Sequence, residues 1–141
     1  MDKDIHIIKN LRNNGRQSFV DISKKTNIPV STVYDRLTKT NLIDKYTCLL
    51  NFENLGFSIN IFTLLKTIPN QKEKLGEFLT THPSTNNVLL LNQDFDYASE
   101  LIFKNTKDMF NFFDELESKF VIEKKDIHHI LEDKKREGFL S

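Results

Sequence analysis

Tryptophan is absent from these 141 residues, cysteine occurs once, and neither sign of charge is in excess. No apolar run approaches the roughly 18 residues a membrane span requires, and no basic-then-apolar leader follows Met1, so a soluble cytoplasmic protein is expected. A lone Cys48 cannot close an internal disulfide or supply a multi-thiolate zinc cage; it reads as a small semi-buried residue rather than a reactive thiol. No metal or other cofactor is expected. The length fits one ordinary domain or two very small ones, since domains most often run roughly 100 to 150 residues.

The balance of 20 Lys/Arg against 20 Asp/Glu would by itself argue against a polyanionic partner, yet it conceals a split. Residues 1–50 hold nine basic side chains (Lys3, Lys9, Arg12, Arg16, Lys24, Lys25, Arg36, Lys39, Lys45) against five acidic ones, a net of +4, leaving −4 for residues 51–141. A basic half joined to a larger acidic half suggests that the first meets a polyanion while the second does something else.

Helical periodicity begins at once. Asp2 and Asp4 suit a helix N-terminus, and Ile5, Ile8 and Leu11, with Ile7 beside them, recur at spacings of three and four. Asn14-Gly15 is expected to end that helix, with Gly15 supplying a left-handed stop. Ser18 followed three residues on by Asp21 reads as a capping box. It opens a second helix with Phe19, Ile22 and Val20 facing inward. Asn27-Ile28-Pro29 then makes a tight turn into a third helix over about Val30 to Thr40.

On that helix Val30, Val33, Leu37 and Thr40 share the side facing the core, which leaves Ser31, Thr32, Asp35, Thr38 and Lys39 outward. A short polar face on the second helix of a helix-turn-helix is where a major groove would be read. Spacing alone equally allows a three-helix unit that only packs on its neighbour. Leu42 to Leu50 is β-prone and is expected to form a wing or linker strand.

After a polar joint at 51–56, the pattern becomes strand (Phe57–Lys66), helix (Gln71–His82), strand (Val88–Leu91), strand (Tyr97–Phe103), helix and strand (Asp126–Leu131). Leu75, Phe78 and Leu79 face inward from the first of these helices. Thr106 caps the second, which carries Met109, Phe110, Phe112, Phe113, Leu116 and Phe120. The order βαββαβ is a ferredoxin-like layout, so the fold class is α+β with a winged helix-turn-helix over 1–50, a hinge over 51–56 and a ferredoxin-like domain over 57–141. The second face of such a sheet is uncovered. Phe62, Leu64, Leu90, Ile102 and Ile130 are candidates for it, and an apolar open face wants a partner.

Laid out this way, the whole chain resembles the Lrp/AsnC, or feast/famine, family of transcriptional regulators in its archaeal style. Asp4 with Ile7-Ile8 and Leu11 is similar to the family's first helix, and Asn14-Gly15-Arg16 with Ser18 to its first joint. Ser31-Thr32-Val33 with Arg36-Leu37 is similar to the recognition helix, Tyr46-Thr47 to Leu55-Gly56-Phe57 to the hinge, and Pro83 and Asp96 to the effector domain. The resemblance implies sequence-specific binding of double-stranded DNA, a homodimer formed through the sheet and often assembled into an octamer, and an amino-acid effector bound between dimers.

On that reading Arg16, Lys24, Lys25, Arg36 and Lys45 belong to the DNA-binding set, several as phosphate contacts, while Ser31, Thr32, Asp35 and Lys39 meet bases. The effector lies against Asn92, Gln93, Asp94 and Asp96.

Three departures from the family pattern stand out. Lys39 to Leu42 is about one helical turn short and lacks the glycine ahead of the wing. Asp35 replaces a second basic residue, either accepting from cytosine N4 or pairing with Lys39 at i+4. Gln93 occupies a glycine position ahead of Asp96, which narrows the usual pocket or tunes it to a polar ligand. An effector-independent architectural DNA-binding protein is therefore a second reading. A third is an enzyme like the sirohaem decarboxylases, which share this layout and to which Gly56-Phe57 with Asn60 is similar. Against it stand the missing Trp and the lack of basic residues just before Gly56. His82 and the adjacent His128-His129 are the remaining catalytic candidates; neighbours on a strand face opposite ways, so one of that pair is expected buried or at an interface and one solvated. No catalytic residue is assigned. Lys134-Lys135-Arg136, lying among Glu132, Asp133 and Glu137, reads as a solvated end.

Overall fold

A computed structural model describes residues 2–141; Met1, where a leader would begin, lies outside the described residues. The chain forms two compact units, residues 1–50 together with 134–141, and residues 51–133. Among the described residues no helix is long and apolar enough to cross a membrane.

The first unit contains α1 (Asp2–Asn13), α2 (Phe19–Thr26) and α3 (Val30–Thr38) around buried Ile7, Ile22, Ile28, Val33 and Leu37. The capping box forms: Ser18 Oγ accepts the Asp21 N–H at 3.1 Å while an Asp21 carboxylate oxygen accepts the Ser18 N–H at 3.4 Å. Asn27 takes the left-handed conformation at φ 59° and ends α2. Several expectations fail here. Gly15 is not left-handed. Instead α1 is stopped by an Asx turn, Asn14 Oδ1 accepting the Arg16 N–H at 3.0 Å. Val20 and Val30 are exposed rather than inward. Val30 lies in the first turn of α3, past the end of the small core. That helix stops at Thr38, short of Thr40, with the Lys39 N–H donating to the Asp35 carbonyl. No wing strand forms over Leu42–Leu50, because a strand needs a paired neighbour and this segment has none; Leu42, Tyr46, Leu49 and Leu50 are exposed, and so is Cys48.

In the tail Lys134 and Lys135 are exposed, as expected, while Arg136 and Glu137 are engaged within the first unit. Arg12 donates to the Glu137 carbonyl and sits 3.4 Å from its carboxylate, and Arg136 Nη1 donates to the Leu50 carbonyl at 2.7 Å. Residues 1–50 with 134–141 carry twelve basic against six acidic side chains, a net of +6, and residues 51–133 a net of −6.

The second unit holds β1 (Ile59–Thr67), α4 (Lys72–Thr81), β2 (Thr85–Leu90), β3 (Tyr97–Phe103), α5 (Thr106–Lys119) and β4 (Ile122–His129). Its antiparallel sheet runs β2-β3-β1-β4. Ile61 and Leu65 of β1 pack with Leu101, Phe103, Leu75, Leu79, Met109, Phe112, Phe113 and Leu116. Two fully buried polar residues on that face are satisfied locally: Thr63 and Ser99 hydroxyls donate to the Asp126 and Asn87 carbonyls at 3.0 and 2.9 Å.

Strand limits differ from expectation where the residues are polar. β2 begins at Thr85, and β4 at Ile122, because edge residues such as Lys124 are solvated and show no apolar alternation. Asn105, not Thr106, caps α5, accepting the Asp108 N–H at 2.9 Å. Phe110 faces solvent. Cross-strand pairing puts Phe62, Leu64, Ala98, Leu89, Ile102 and Ile130 on the open face; Leu90 pairs with buried Tyr97 and so belongs to the other side. His128 and His129 are both exposed, since β4 is an uncovered edge strand.

Gly76 lies within α4, where alanine ordinarily gains about 1 kcal/mol of helix propensity. A Cβ there would come 2.3 Å from the Tyr97 hydroxyl oxygen, which is tied down by donating to the Lys72 carbonyl at 2.8 Å. Tyr97 is buried and overpacking costs about 1–3 kcal/mol. Gly76→Ala is therefore expected to destabilise by about 1 kcal/mol net, with partial recovery on adding Tyr97→Phe; urea unfolding of the single and double variants measures both. Stabilisation by Gly76→Ala would show that Tyr97 is free to move.

Candidate nucleic-acid interface

Helix α3 is amphipathic in a narrow sense: Val33 and Leu37 are buried, while Ser31, Tyr34, Asp35, Thr38 and Lys39 form an uncovered polar strip and Thr32 is half-buried at its border. Asp35 and Lys39 pair at 3.0 Å, the i,i+4 contact that was one of two readings for Asp35. Both ends are solvated, so the pair contributes only a few tenths of a kcal/mol and is readily exchanged for another partner. Arg16, Lys24, Lys25 and Lys45 are exposed, with Lys24 and Lys25 in the last turn of α2.

Arg36 departs from the expected set. Its Nε and Nη2 donate to the two carboxylate oxygens of Asp4, locking α3 to α1. Asp4 is buried, so its charge has to be matched inside the protein. Arg36 is thus committed to the fold rather than offered outward. Tyr34 was missed for the opposite reason: an aromatic residue suggests core, yet Tyr34 stands edge-on to Phe19 at 5.7 Å between centroids and is 49% exposed.

The turn between β2 and β3 has a different character. Asn92, Gln93 and Asp94 are exposed, and Gln93 sits at φ 71°, in the left-handed region that explains a glycine preference at this position. Asp96 is half-buried and already employed: one carboxylate oxygen accepts the Thr67 N–H at 3.0 Å and the other lies 3.8 Å from Lys72 Nζ. Asp94, by contrast, has no hydrogen-bond or ion-pair partner among the described residues, so of the two acids in the turn it is the one open to an ammonium group. Among the described residues no three His, Cys, Asp or Glu converge as metal ligands.

Residues 2–39 match the model of the AsnC-type helix-turn-helix domain. The HTH-type transcriptional regulator FL11 of Pyrococcus horikoshii is 31% identical over 114 residues, covering 79% of this chain and 76% of the relative. Among solved structures, the transcriptional regulator NMB0573 of Neisseria meningitidis, in complex with L-Met, has a TM-score of 0.87 at 20% identity, covering 96% of this chain and 92% of that one. The structure of E. coli AsnC has a TM-score of 0.81 at 11% identity, covering 96% and 95%.

The Asp4–Arg36 contact has a pH signature. Hydrogen bonds from Arg36 are the main reason the Asp4 carboxyl is held below the usual carboxylate range. A depressed native value means stability that is complete above about pH 4, the unfolded value, and lost as pH falls through the native one. Asp4→Asn is expected to remove this part of the acid sensitivity, read as a flatter dependence of the thermal midpoint on pH between about 2 and 5. An unchanged dependence would mean the pair adds nothing to the fold.

Proposed function

This chain belongs to the Lrp/AsnC family of helix-turn-helix, DNA-binding transcriptional regulators, and on that premise we propose that it acts as a homodimer whose two α3 helices enter successive major grooves on one side of an operator. The observation that carries this reading is the uncovered polar strip of α3 within a unit of net charge +6. Arg16, Lys24, Lys25 and Lys45 neutralise phosphates, and Ser31, Thr32, Asp35 and Lys39, joined by Tyr34, meet base edges. Two copies associate through the open sheet face around Phe62, Leu64, Leu89 and Ile102, and the dimer is the unit from which an octamer would be built. The protein works inside the cell, where its DNA lies.

An amino-acid effector at the Asn92–Asp96 turn is the family-like extension of this reading, supported by the L-Met bound to the Neisseria relative. The commitment of Asp96 to Thr67 and Lys72 favours the second reading, regulation without an effector at that turn. If the turn does bind, Asp94 and the Gln93 amide suit a polar amino acid rather than leucine, which would leave the amide unpaired.

Fluorescence anisotropy on fragments of its own promoter region tests the DNA reading. Affinity is expected to fall steeply with salt, and Lys24→Ala or Lys25→Ala each to reduce the log–log slope by about 0.9. Binding that ignores salt would refute it. Replacing Leu64 with Asp in the full chain is expected to give monomers in sedimentation and to weaken operator binding at least tenfold, a magnitude set by losing one half-site. A Leu64→Asp variant that stays dimeric would place the association surface elsewhere.

A further inference from the structure

The chain holds a single Asn-Gly step, Asn14-Gly15, in the connection between α1 and α2. An asparagine side chain carries an electrophilic amide carbon, and a following glycine places no Cβ beside the main-chain nitrogen that can attack it. Asparagine is a thermolabile residue for this reason. The step is reactive where that nitrogen is unbonded, the side chain is turned toward it and water has access.

The turn meets these conditions. Asn14 and Gly15 are both exposed and lie past Asn13, the last residue of α1. The Gly15 N–H has no acceptor among the described residues, whereas the residues around it are held: the Asn14 N–H donates to the Asn10 carbonyl at 3.1 Å and the Gln17 N–H to the Asn14 carbonyl at 3.2 Å. A Cβ on Gly15 would meet only the Leu11 carbonyl oxygen, at 3.9 Å, so the space around it is open. The Asn14 side chain is folded back along the chain, its Oδ1 accepting the Arg16 N–H at 3.0 Å. That contact also bears on reactivity. Attack on the amide carbon moves negative charge onto Oδ1, and a donor already in place there stabilises it.

We propose that Asn14 is a site of spontaneous deamidation, converted in the folded protein to aspartate and isoaspartate, and that the carboxylate so formed weakens the hold of the first unit on DNA. The Gly15 nitrogen, its proton taken by hydroxide, forms a bond to Asn14 Cγ. The Cγ–Nδ2 bond breaks and the amide nitrogen leaves as ammonia with a proton from water. Water then opens the resulting succinimide: cleavage at Cγ gives aspartate, and cleavage at the main-chain carbonyl gives isoaspartate. One water is consumed and one ammonia released, with no oxidant or reductant.

Either product takes the net charge of the first unit from +6 to +5 and sets a carboxylate two residues before Arg16, one of the proposed phosphate contacts. Isoaspartate also adds a methylene to the main chain ahead of the Ser18–Asp21 box. The effect on DNA rests on the operator reading; the chemistry at Asn14 does not.

The full-length protein is incubated in mildly alkaline buffer, folded and in parallel unfolded in urea. Proteolytic peptides are followed by mass spectrometry, and isoaspartate by an isoaspartate-specific methyltransferase. Conversion is expected at Asn14 in the folded protein, ahead of exposed Asn13, Asn54 and Asn92, and faster as pH rises. Gly15→Ala, which the open space accommodates, is expected to slow it about tenfold by crowding the attacking nitrogen. An intact Asn14 in the folded protein when the unfolded chain is half converted, or an unchanged rate in Gly15→Ala, overturns the modification. Asn14→Asp keeps an oxygen in the turn and is expected to bind promoter DNA more weakly, with the log–log salt slope reduced by about 0.9. If Asn14→Asp binds like the parent while Lys24→Ala is weakened, the effect on DNA is overturned. If Lys24→Ala has no effect either, the operator reading fails and the effect on DNA with it, while the mass spectra alone decide the modification.

Discussion

Strand β1 lies between β3 and β4 and alternates strictly, Ile61 and Leu65 toward the helices and Phe62 and Leu64 away from them. Two helices can cover only one face of a four-stranded sheet, so this period of two decides which residues build the internal core and which lie on the open face. A shift of one residue would exchange the two sets. The buried hydroxyls of Thr63 and Ser99 fit the same constraint, because each finds a strand carbonyl within reach and costs the core nothing in unpaired polarity.

The small first unit meets a different constraint. Five buried aliphatic residues make a modest core, and the unit also carries a high density of positive charge. The Asp4–Arg36 pair joins the first and third helices where hydrophobic area is scarce, and it turns the one arginine of α3 inward. What remains outward is small, polar and weakly paired. Such a face suits the proposed reading of sequence through hydrogen bonds, with lysines on the neighbouring helix and turn as the proposed source of attraction that does not depend on sequence.

Much of this was legible in the residues. Spacings of three and four marked α1 and α2, the Ser18–Asp21 box marked a helix start, and Asn27 marked a left-handed stop because each signal is local. The order of strands and helices followed from the same kind of pattern. Long-range commitments were not legible: nothing in the spacing of Asp4 and Arg36, 32 residues apart, announces a contact, and Asp96 looked as available as Asp94 until Thr67 and Lys72 were seen to claim it. The missing wing has a simpler cause. Leu42–Leu50 has the composition of a strand but no strand beside it, and propensity without a hydrogen-bonding neighbour leaves the backbone irregular.

Residues 134–141 return to the first unit, so residues 51–133 are an insertion between two segments of that unit. The Arg12–Glu137 and Arg136–Leu50 contacts join residues 125 and 86 positions apart. Closing so long a loop costs less conformational entropy once the inserted sheet has folded, which couples completion of the three-helix unit to folding of the sheet.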